Sequence, residues 1–333
     1  MTLPESAVDF LAGQAARVRR LNKKKRIVFP EGTDPRVREA AARLAQEGLL
    51  EPVLLSPAAD LGPGVVTIDP ATDGRADKYA ALFFERRRAK GITHAEAGQA
   101  ARRPLYFGCL MVAAGEADGF VGGAVNSTAD TVRAALQVIG TQPQVKTVST
   151  VMILCVRNRG FGHGGVLAIA DPAMVVNPTP VELADIAMAT AASVKALLGI
   201  DPVVALLSFS TKGSGKHADS DKVVEALRIV RARAPELHID GELQADAALV
   251  EAVGRSKAPG STVAGKANTL IFPNIDAANI GYKMVERLGD GTAIGPFLQG
   301  LAKPANDLSR GCSANDIYGA ALVTALQAEG ASR

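Results

Sequence analysis

The chain has 333 residues, of which 47% are hydrophobic and 21% charged, and its formal net charge is +3. That length accommodates two domains with sizeable cores, and that composition is globular rather than disordered. So small a charge excess gives no argument for nucleic acid, and no apolar run reaches the roughly 18 residues of a membrane helix.

The opening "MTLPESAVDF" carries Glu5 and Asp9 and lacks a basic segment followed by an apolar one, so no secretory signal is expected. Cys109, Cys155 and Cys312 are far apart and form no CxxC. That usage predicts reduced thiols and a cytoplasmic protein. Four scattered histidines offer no metal-ligand spacing, and no metal is expected.

Along the chain the pattern alternates. "KKKR" (Lys23 to Arg26) reads as a solvated turn ahead of a first strand, "RIVFPEG". "TDPRVREAAARLAQEG" predicts a helix with Asp34 as N-cap, Pro35 at its first position and Gly48 as its stop. "EPVLLS" reads as a strand, "RADKYAALFFERRRAKG" as a helix and "ADGFVGGA" as a strand edge. "STADTVRAALQVIG" reads as a helix capped by Ser127 or Thr128. "VSTVMILCV" and "GVLAIAD" are apolar runs joined by glycines. A long helix ("TPVELADIAMATAASVKALLG"), a strand ("VVALLSFS") and a helix ("SDKVVEALRIVRARA") follow. Strands alternating with helices predict an α/β protein with mainly parallel sheets. The hairpin-like interruption near Thr147 marks the expected domain boundary.

Two glycine-rich stretches imitate nucleotide loops. "GFGHGG" matches GxGxxG through Gly160, Gly162 and Gly165, but a strand follows where the dinucleotide fingerprint needs a helix. A hairpin connection is the expected role. "STKGSGKH" has Ser210 where a phosphate loop needs its first glycine, and His217 where Ser or Thr would hold magnesium. It is either a crevice-lining turn or a plain polar loop.

Basic residues raise two further questions. "ERRRAKG" ends a helix, where cations suit the dipole, and it also suits a grip on a polyanion. Arg133 lies early in its helix, where a cation is disfavoured, which hints at function.

The densest chemistry is "NDLSRGCSANDIYGAAL", Asn306 to Leu322. With Ser313 as N-cap, Asp316 falls at the third helical position and completes a capping box. The same helix start presents free N–H groups to an anion. Arg310 adds a bidentate fork and Ser309 a hydroxyl donor, so a phosphate fits there, with Asp316 beside it as candidate base. Capping and catalysis do not exclude each other. Cys312 is either a low-pKa nucleophile or a buried bystander thiol.

This segment resembles the signature of phosphate acetyltransferases, within the phosphate acetyl/butyryltransferase family. The resemblance extends through "IVFPEGTDPRV", "GFVGGAVNSTADTVRAALQ", "VVNPTPVELADIA", "SFSTKGSGK" and "GLAKPANDLSRGCSANDI". It implies the reaction acetyl-CoA + phosphate ⇌ acetyl phosphate + CoA, with coenzyme A as substrate and no permanently bound cofactor. It implies two α/β domains separated by a cleft, resembling the isocitrate dehydrogenase-like fold. Residues 1–146 and 298–333 would form domain I, which carries the reactive segment. Residues 147–297 would form domain II, the dimerisation domain of a homodimer.

By the same resemblance Asp316 is the base for the CoA thiol, Arg310 the phosphate-binding arginine and Ser309 the residue that stabilises the reacting group. Arg87 and Arg133 line the substrate and CoA site, with Ser127 and Thr128 at the adjoining helix start. Neither nucleic acid nor membrane is an expected partner. The alternatives are a butyryl-type enzyme with a larger acyl pocket and a non-catalytic CoA- or acyl-phosphate-binding protein. A related metal-dependent dehydrogenase would need clustered aspartates, which the sequence does not show.

Overall fold

The computed structural model of the protein describes residues 3–57 and 63–330. In chain order the elements are α1 (Glu5–Arg19), β1 (Arg26–Phe29), α2 (Pro35–Gln46), β2 (Glu51–Leu55), β3 (Val66–Ile68), α3 (Ala76–Arg87), α4 (His94–Ala101), α5 (Pro104–Ala113), β4 (Gly119–Gly122) and α6 (Thr128–Val138). There follow β5 (Ser149–Cys155), β6 (Val166–Ala170), α7 (Pro180–Leu198), β7 (Val204–Leu207), α8 (Ala218–Arg233), β8 (Ile239–Leu243), α9 (Ala245–Leu249) and α10 (Glu251–Lys257). The chain ends with β9 (Thr269–Ile271), α11 (Ile275–Leu288), β10 (Thr292–Gln299), β11 (Ala305–Asp307) and α12 (Ala314–Gly330).

Local chemistry explains the boundaries. Asp34 caps α2 by accepting from the Arg36 amide, Pro35 occupies its first position, and Gly48 just beyond it has φ +66°. Thr179 and Glu182 close a capping box on α7 ahead of Pro180. β5 and β6 pair antiparallel, so the glycines of "GFGHGG" do connect a hairpin.

The chain forms two compact units, Gly13–Pro143 with Leu301–Arg333, and Met1–Ala12 with Gln144–Gly300. The division expected from sequence kept all of 1–146 in one domain; its residues 1–2, 58–62 and 331–333 lie outside the described residues. The start of α1 instead groups with the second unit. Ser6 Oγ donates to the Val156 carbonyl at 2.8 Å, and Arg159 pairs with Asp9 at 2.8 Å.

In the first unit the described strands form one parallel sheet in the order β11-β4-β1-β2-β3. Helix α5 is buried from Leu105 to Val112, and α12 buries Ile317 to Leu326. Tyr318 of α12 donates to Glu47 beyond α2 at 2.8 Å, under the Arg43 guanidinium. Lys25 is 8% exposed and pairs with Glu329 at 3.0 Å, so the basic run at Lys23 to Arg26 is not wholly solvated.

The second unit has the order β10-β5-β6-β9-β7-β8. β10, β5 and β6 pair antiparallel, and the rest pair parallel. One apolar cluster packs α7 and α8 on this sheet, and a second lies under the 248–270 segment. The fold class is α/β with two largely parallel sheets, as read from the sequence. Among the described residues no helix is long and apolar enough to cross a membrane.

Candidate active site

In a parallel sheet the turns after the C-terminal strand ends gather along one edge, and they feed helix N-termini. Three neighbouring strands of the first unit, β11, β4 and β1, do this. The turn after β1 enters α2 at Asp34, the turn after β4 enters α6 at Ser127, and the turn after β11 enters α12 at Ser313.

Two charged side chains hold these turns together. Glu31, 7% exposed, accepts from the amides of Ala124 (2.7 Å), Val125 (2.8 Å) and Asn126 (2.7 Å) and from Asn126 Nδ2 (2.8 Å). It fastens the β4 turn to the β1 turn. Arg36 spans all three. Its Nη1 donates to the carbonyls of Arg310 (2.8 Å) and Cys312 (2.9 Å), and its Nη2 to Ala124 O (2.8 Å) and Asp34 (2.8 Å). The hydrogen bond to Asp34 raises the Arg36 pKa and lowers that of Asp34.

The reactive segment sits on this frame. Arg310 is exposed, and its guanidinium has no hydrogen bond or ion pair among the described residues. Ser309 is exposed; its Oγ accepts from the Gly311 amide at 3.2 Å, which leaves its proton uncommitted. Asp316 Oδ2 accepts from the amide and hydroxyl of Ser313, both at 2.8 Å, while Ser313 Oγ accepts from the Asp316 amide at 3.3 Å. The capping box is therefore formed. Cys312 is 7% exposed, and burial pushes its pKa up to about 11, with only partial opposition from Arg36. Both its burial and this shift favour the bystander alternative for the thiol.

The helix α6 residues divide. Ser127, not Thr128, is the N-cap; its Oγ accepts from the Asp130 amide at 3.2 Å and donates to Asp130 Oδ2 at 2.8 Å. Thr128 is exposed at the first helical position. Arg133 is exposed and pairs with Asp130 at 2.6 Å, which relieves the awkward placement of a cation near the helix start.

Arg87 stands apart. Its neighbour Arg86 donates to the Val138 carbonyl at 2.6 Å, and Arg88 pairs with Glu85 at 3.3 Å. Arg87 has no such partner among the described residues.

Elsewhere, Lys212 of "STKGSGKH" is spent on Asp240 (2.6 Å) and the Gly241 carbonyl (2.7 Å). No group of three or more His, Cys, Asp or Glu suited to a metal occurs among the described residues.

Sequence reasoning missed Glu31, Arg36 and Asp307. For Arg36 the signal was present: a cation at the second position of a helix, the same oddity that singled out Arg133.

Comparison with known proteins matches this architecture. A family model described as phosphate acetyl/butaryl transferase covers residues 11–325. The chain belongs to the phosphate acetyl/butaryl transferase family. It is thus an enzyme, a transferase of that family. The phosphate acetyltransferase of Acetivibrio thermocellus is 47% identical over 313 residues, which cover 92% of this chain and 94% of that protein. That of Thermoanaerobacterium thermosaccharolyticum is 48% identical over 314 residues, covering 92% and 96%. The crystal structure of a phosphotransacetylase from Streptococcus pyogenes superposes with a TM-score of 0.90 at 46% identity, covering 98% of this chain and 99% of that one. A 4-hydroxythreonine-4-phosphate dehydrogenase from Klebsiella pneumoniae shares the fold, with a TM-score of 0.50 at 11% identity, covering 93% of this chain and 100% of that one.

Proposed function

We propose that this family member interconverts acetyl-CoA plus phosphate and acetyl phosphate plus CoA by direct attack in a ternary complex. The observation that carries the reading is the Arg310 guanidinium, which is exposed and unpaired among the described residues while Arg36 holds its backbone. In the reading, Arg310 grips the phosphoryl oxygens, Ser309 donates to the reacting group, and Asp316 takes the proton of the CoA thiol. Attack of sulfur on the acetyl carbonyl forms the thioester and expels phosphate.

A free thiol has a pKa of about 8.5 and an aspartate about 3.9, so full prior proton transfer is uphill by about 6 kcal/mol. Proton removal is therefore concerted with attack. The raised Cys312 pKa and its burial support direct transfer over an acetyl-enzyme. Arg87, Arg133, Ser127 and Thr128 serve CoA and the adjoining anion site, and the free side chain of Arg87 suits a phosphate of CoA. Acetyl is preferred to butyryl because the relatives at 42–48% identity are named phosphate acetyltransferases.

A homodimer belongs to the same reading. Helix α11, in the unit that includes Gln144–Gly300, exposes Ile280, Met284 and Leu288 along one face. Equilibrium sedimentation tests this, and a monomer at micromolar concentration would remove it.

The deciding experiment follows thioester absorbance with CoA and acetyl phosphate, with butyryl phosphate alongside. CoA-dependent thioester formation, faster with acetyl phosphate, is the expected result. Faster turnover of butyryl phosphate would move the chain to the butyryl branch. Binding of CoA without turnover would make it a non-catalytic binder.

A further inference from the structure

Glu31 has no part in the scheme above, yet its carboxylate is built into the turns that carry Arg310. It lies in the turn after β1 and is 7% exposed. Its oxygens take four N–H donors from the turn after β4. Oε2 accepts from the Ala124 amide at 2.7 Å, and Oε1 from the amides of Val125 (2.8 Å) and Asn126 (2.7 Å) and from Asn126 Nδ2 (2.8 Å). Successive amides aimed at one point just ahead of a helix, here the helix capped by Ser127, make a nest of the kind that binds phosphate and other anions. In this turn the anion is a side chain of the protein itself. A buried carboxylate is costly unless its oxygens are hydrogen-bonded, and the nest supplies those bonds.

The reactive segment rests on the same turn. The amide of Leu308, the residue before Ser309, donates to the Gly122 carbonyl at 2.7 Å. The Ala124 carbonyl accepts from Arg36 Nη2 at 2.8 Å, and Arg36 Nη1 goes on to the carbonyls of Arg310 and Cys312. Ala124 is thus held at its N–H by Glu31 and at its C=O by Arg36. Removing the carboxylate would leave the nest's N–H groups unpaired and free the turn to shift. It would also open an anion site at the end of β4, the strand next to β11.

We infer that Glu31 is a positioning residue of the phosphate site: a built-in anion that closes the nest of the β4 turn and, through Ala124 and Arg36, fixes the backbone that carries Arg310. This rests on the acetyl-transfer reading, in which Arg310 grips the phosphoryl oxygens. Glu31 acts through the turn rather than on a substrate, so its effect falls on phosphate and not on CoA. A small free carboxylate of the same charge can stand in for it.

The test uses the full chain and its variants Glu31→Gln and Glu31→Ala. Glutamine keeps the shape and one acceptor oxygen but sets an NH2 group against one side of the nest. It should weaken the binding of inorganic phosphate, read by calorimetry, and raise the KM for phosphate, each by about tenfold, the worth of one hydrogen bond to a charged group. The KM for acetyl-CoA should stay the same. Glu31→Ala empties the nest and should lower kcat by about 10²-fold, the cost of misplacing a substrate-holding group. Formate matches the missing carboxylate and should raise the rate of Glu31→Ala by about tenfold, with no gain in the wild type. Folded variants that melt lower but keep the wild-type phosphate affinity and kcat overturn the inference. An equal rise in both KM values overturns it too, as does a loss that formate leaves unchanged. If Glu31→Ala does not fold, the nearly isosteric Glu31→Gln decides through the two KM values. A wild type that binds phosphate and never forms acetyl phosphate overturns the acetyl-transfer reading instead, and calorimetry on Glu31→Gln still decides the role of Glu31.

Discussion

Arg36 Nη1 donates to the carbonyl oxygen of Arg310 at 2.8 Å, so one arginine side chain holds the backbone of another whose own guanidinium has no partner among the described residues. The same guanidinium reaches Cys312 O and Ala124 O, and no other side chain type offers so many donors in a fixed plane. Arg36→Lys keeps the charge and loses the fork. It should destabilise the protein by about 2 kcal/mol, as one or more hydrogen bonds to a charged donor are lost. Activity should drop with it, by about tenfold or more, as the turns loosen. Urea unfolding and steady-state kinetics on the same preparation measure both; wild-type values for either would show that the span is incidental.

Arg310→Ala should separate the two effects. Its exposed guanidinium makes no hydrogen bond or ion pair among the described residues, so stability should stay within about 0.5 kcal/mol, while kcat falls by about 10² or more with the charge on the phosphoryl group unanswered. Unimpaired turnover in that variant would falsify the phosphate-site assignment.

Asp316→Asn tests base against cap. Asparagine can still accept from the Ser313 amide and hydroxyl, so stability should change by about 1 kcal/mol or less. If Asp316 is the base, kcat should fall by about 10² to 10⁴. The deficit should narrow as pH climbs through the thiol pKa of about 8.5, where solvent supplies thiolate. A deficit that stays constant well above that pH assigns Asp316 to positioning instead.

Cys312 should be inert. With its pKa pushed up to about 11, the thiol is protonated at neutral pH and 7% exposed. Iodoacetamide at neutral pH should leave it largely unmodified, and Cys312→Ala should keep most activity, since Arg36 holds its carbonyl at 2.9 Å and reaches its sulfur only at 4.0 Å. A stable acetyl-enzyme formed from acetyl phosphate in the wild type, and absent in the variant, would reverse this.

Asp307 links stability to pH with a definite sign. Its pKa rises from 3.8 to about 6 on folding, so the ionised form is the one the fold disfavours. The native state is unaffected by this group below about pH 4, loses stability as pH rises toward 6, and carries a penalty of about 3 kcal/mol above that. Asp307→Asn does not titrate. Its stability relative to the wild type should therefore grow between about pH 4 and pH 7 by an amount of that order. Equal pH dependence in the two proteins, measured by urea unfolding, would show that the group is not shifted.

Much of the fold was legible because its signals are local. Asp34, Pro35 and Gly48 bound α2 through capping, a fixed ring φ and left-handed backbone, all properties of near neighbours. The strand after "GFGHGG" settled the hairpin for the same reason. The capping box of Ser313 and Asp316 was visible as a spacing. Helices α1, α4 and α5 were not anticipated. α5 is apolar on every side from Leu105 to Val112, so it has no periodicity to read.

The sequence by itself determined the alternation of strands and helices, the caps, and the gathering of Ser309, Arg310 and Asp316 at one helix start. Each of these depends on residues a few positions apart. Tertiary structure alone distinguished Arg133 from Arg36, which carry a similar local signal, a cation within the first two turns of a helix. The partner of Arg133 is three residues away, whereas the acceptors of Arg36 lie 88, 274 and 276 residues away. It also separated Arg87 from Arg86, whose acceptor is 52 residues distant, and buried Asp307. Burial and hydrogen bonds between remote segments set which charges are spent on the fold and which stay free for a ligand, and they leave no periodic trace in the chain.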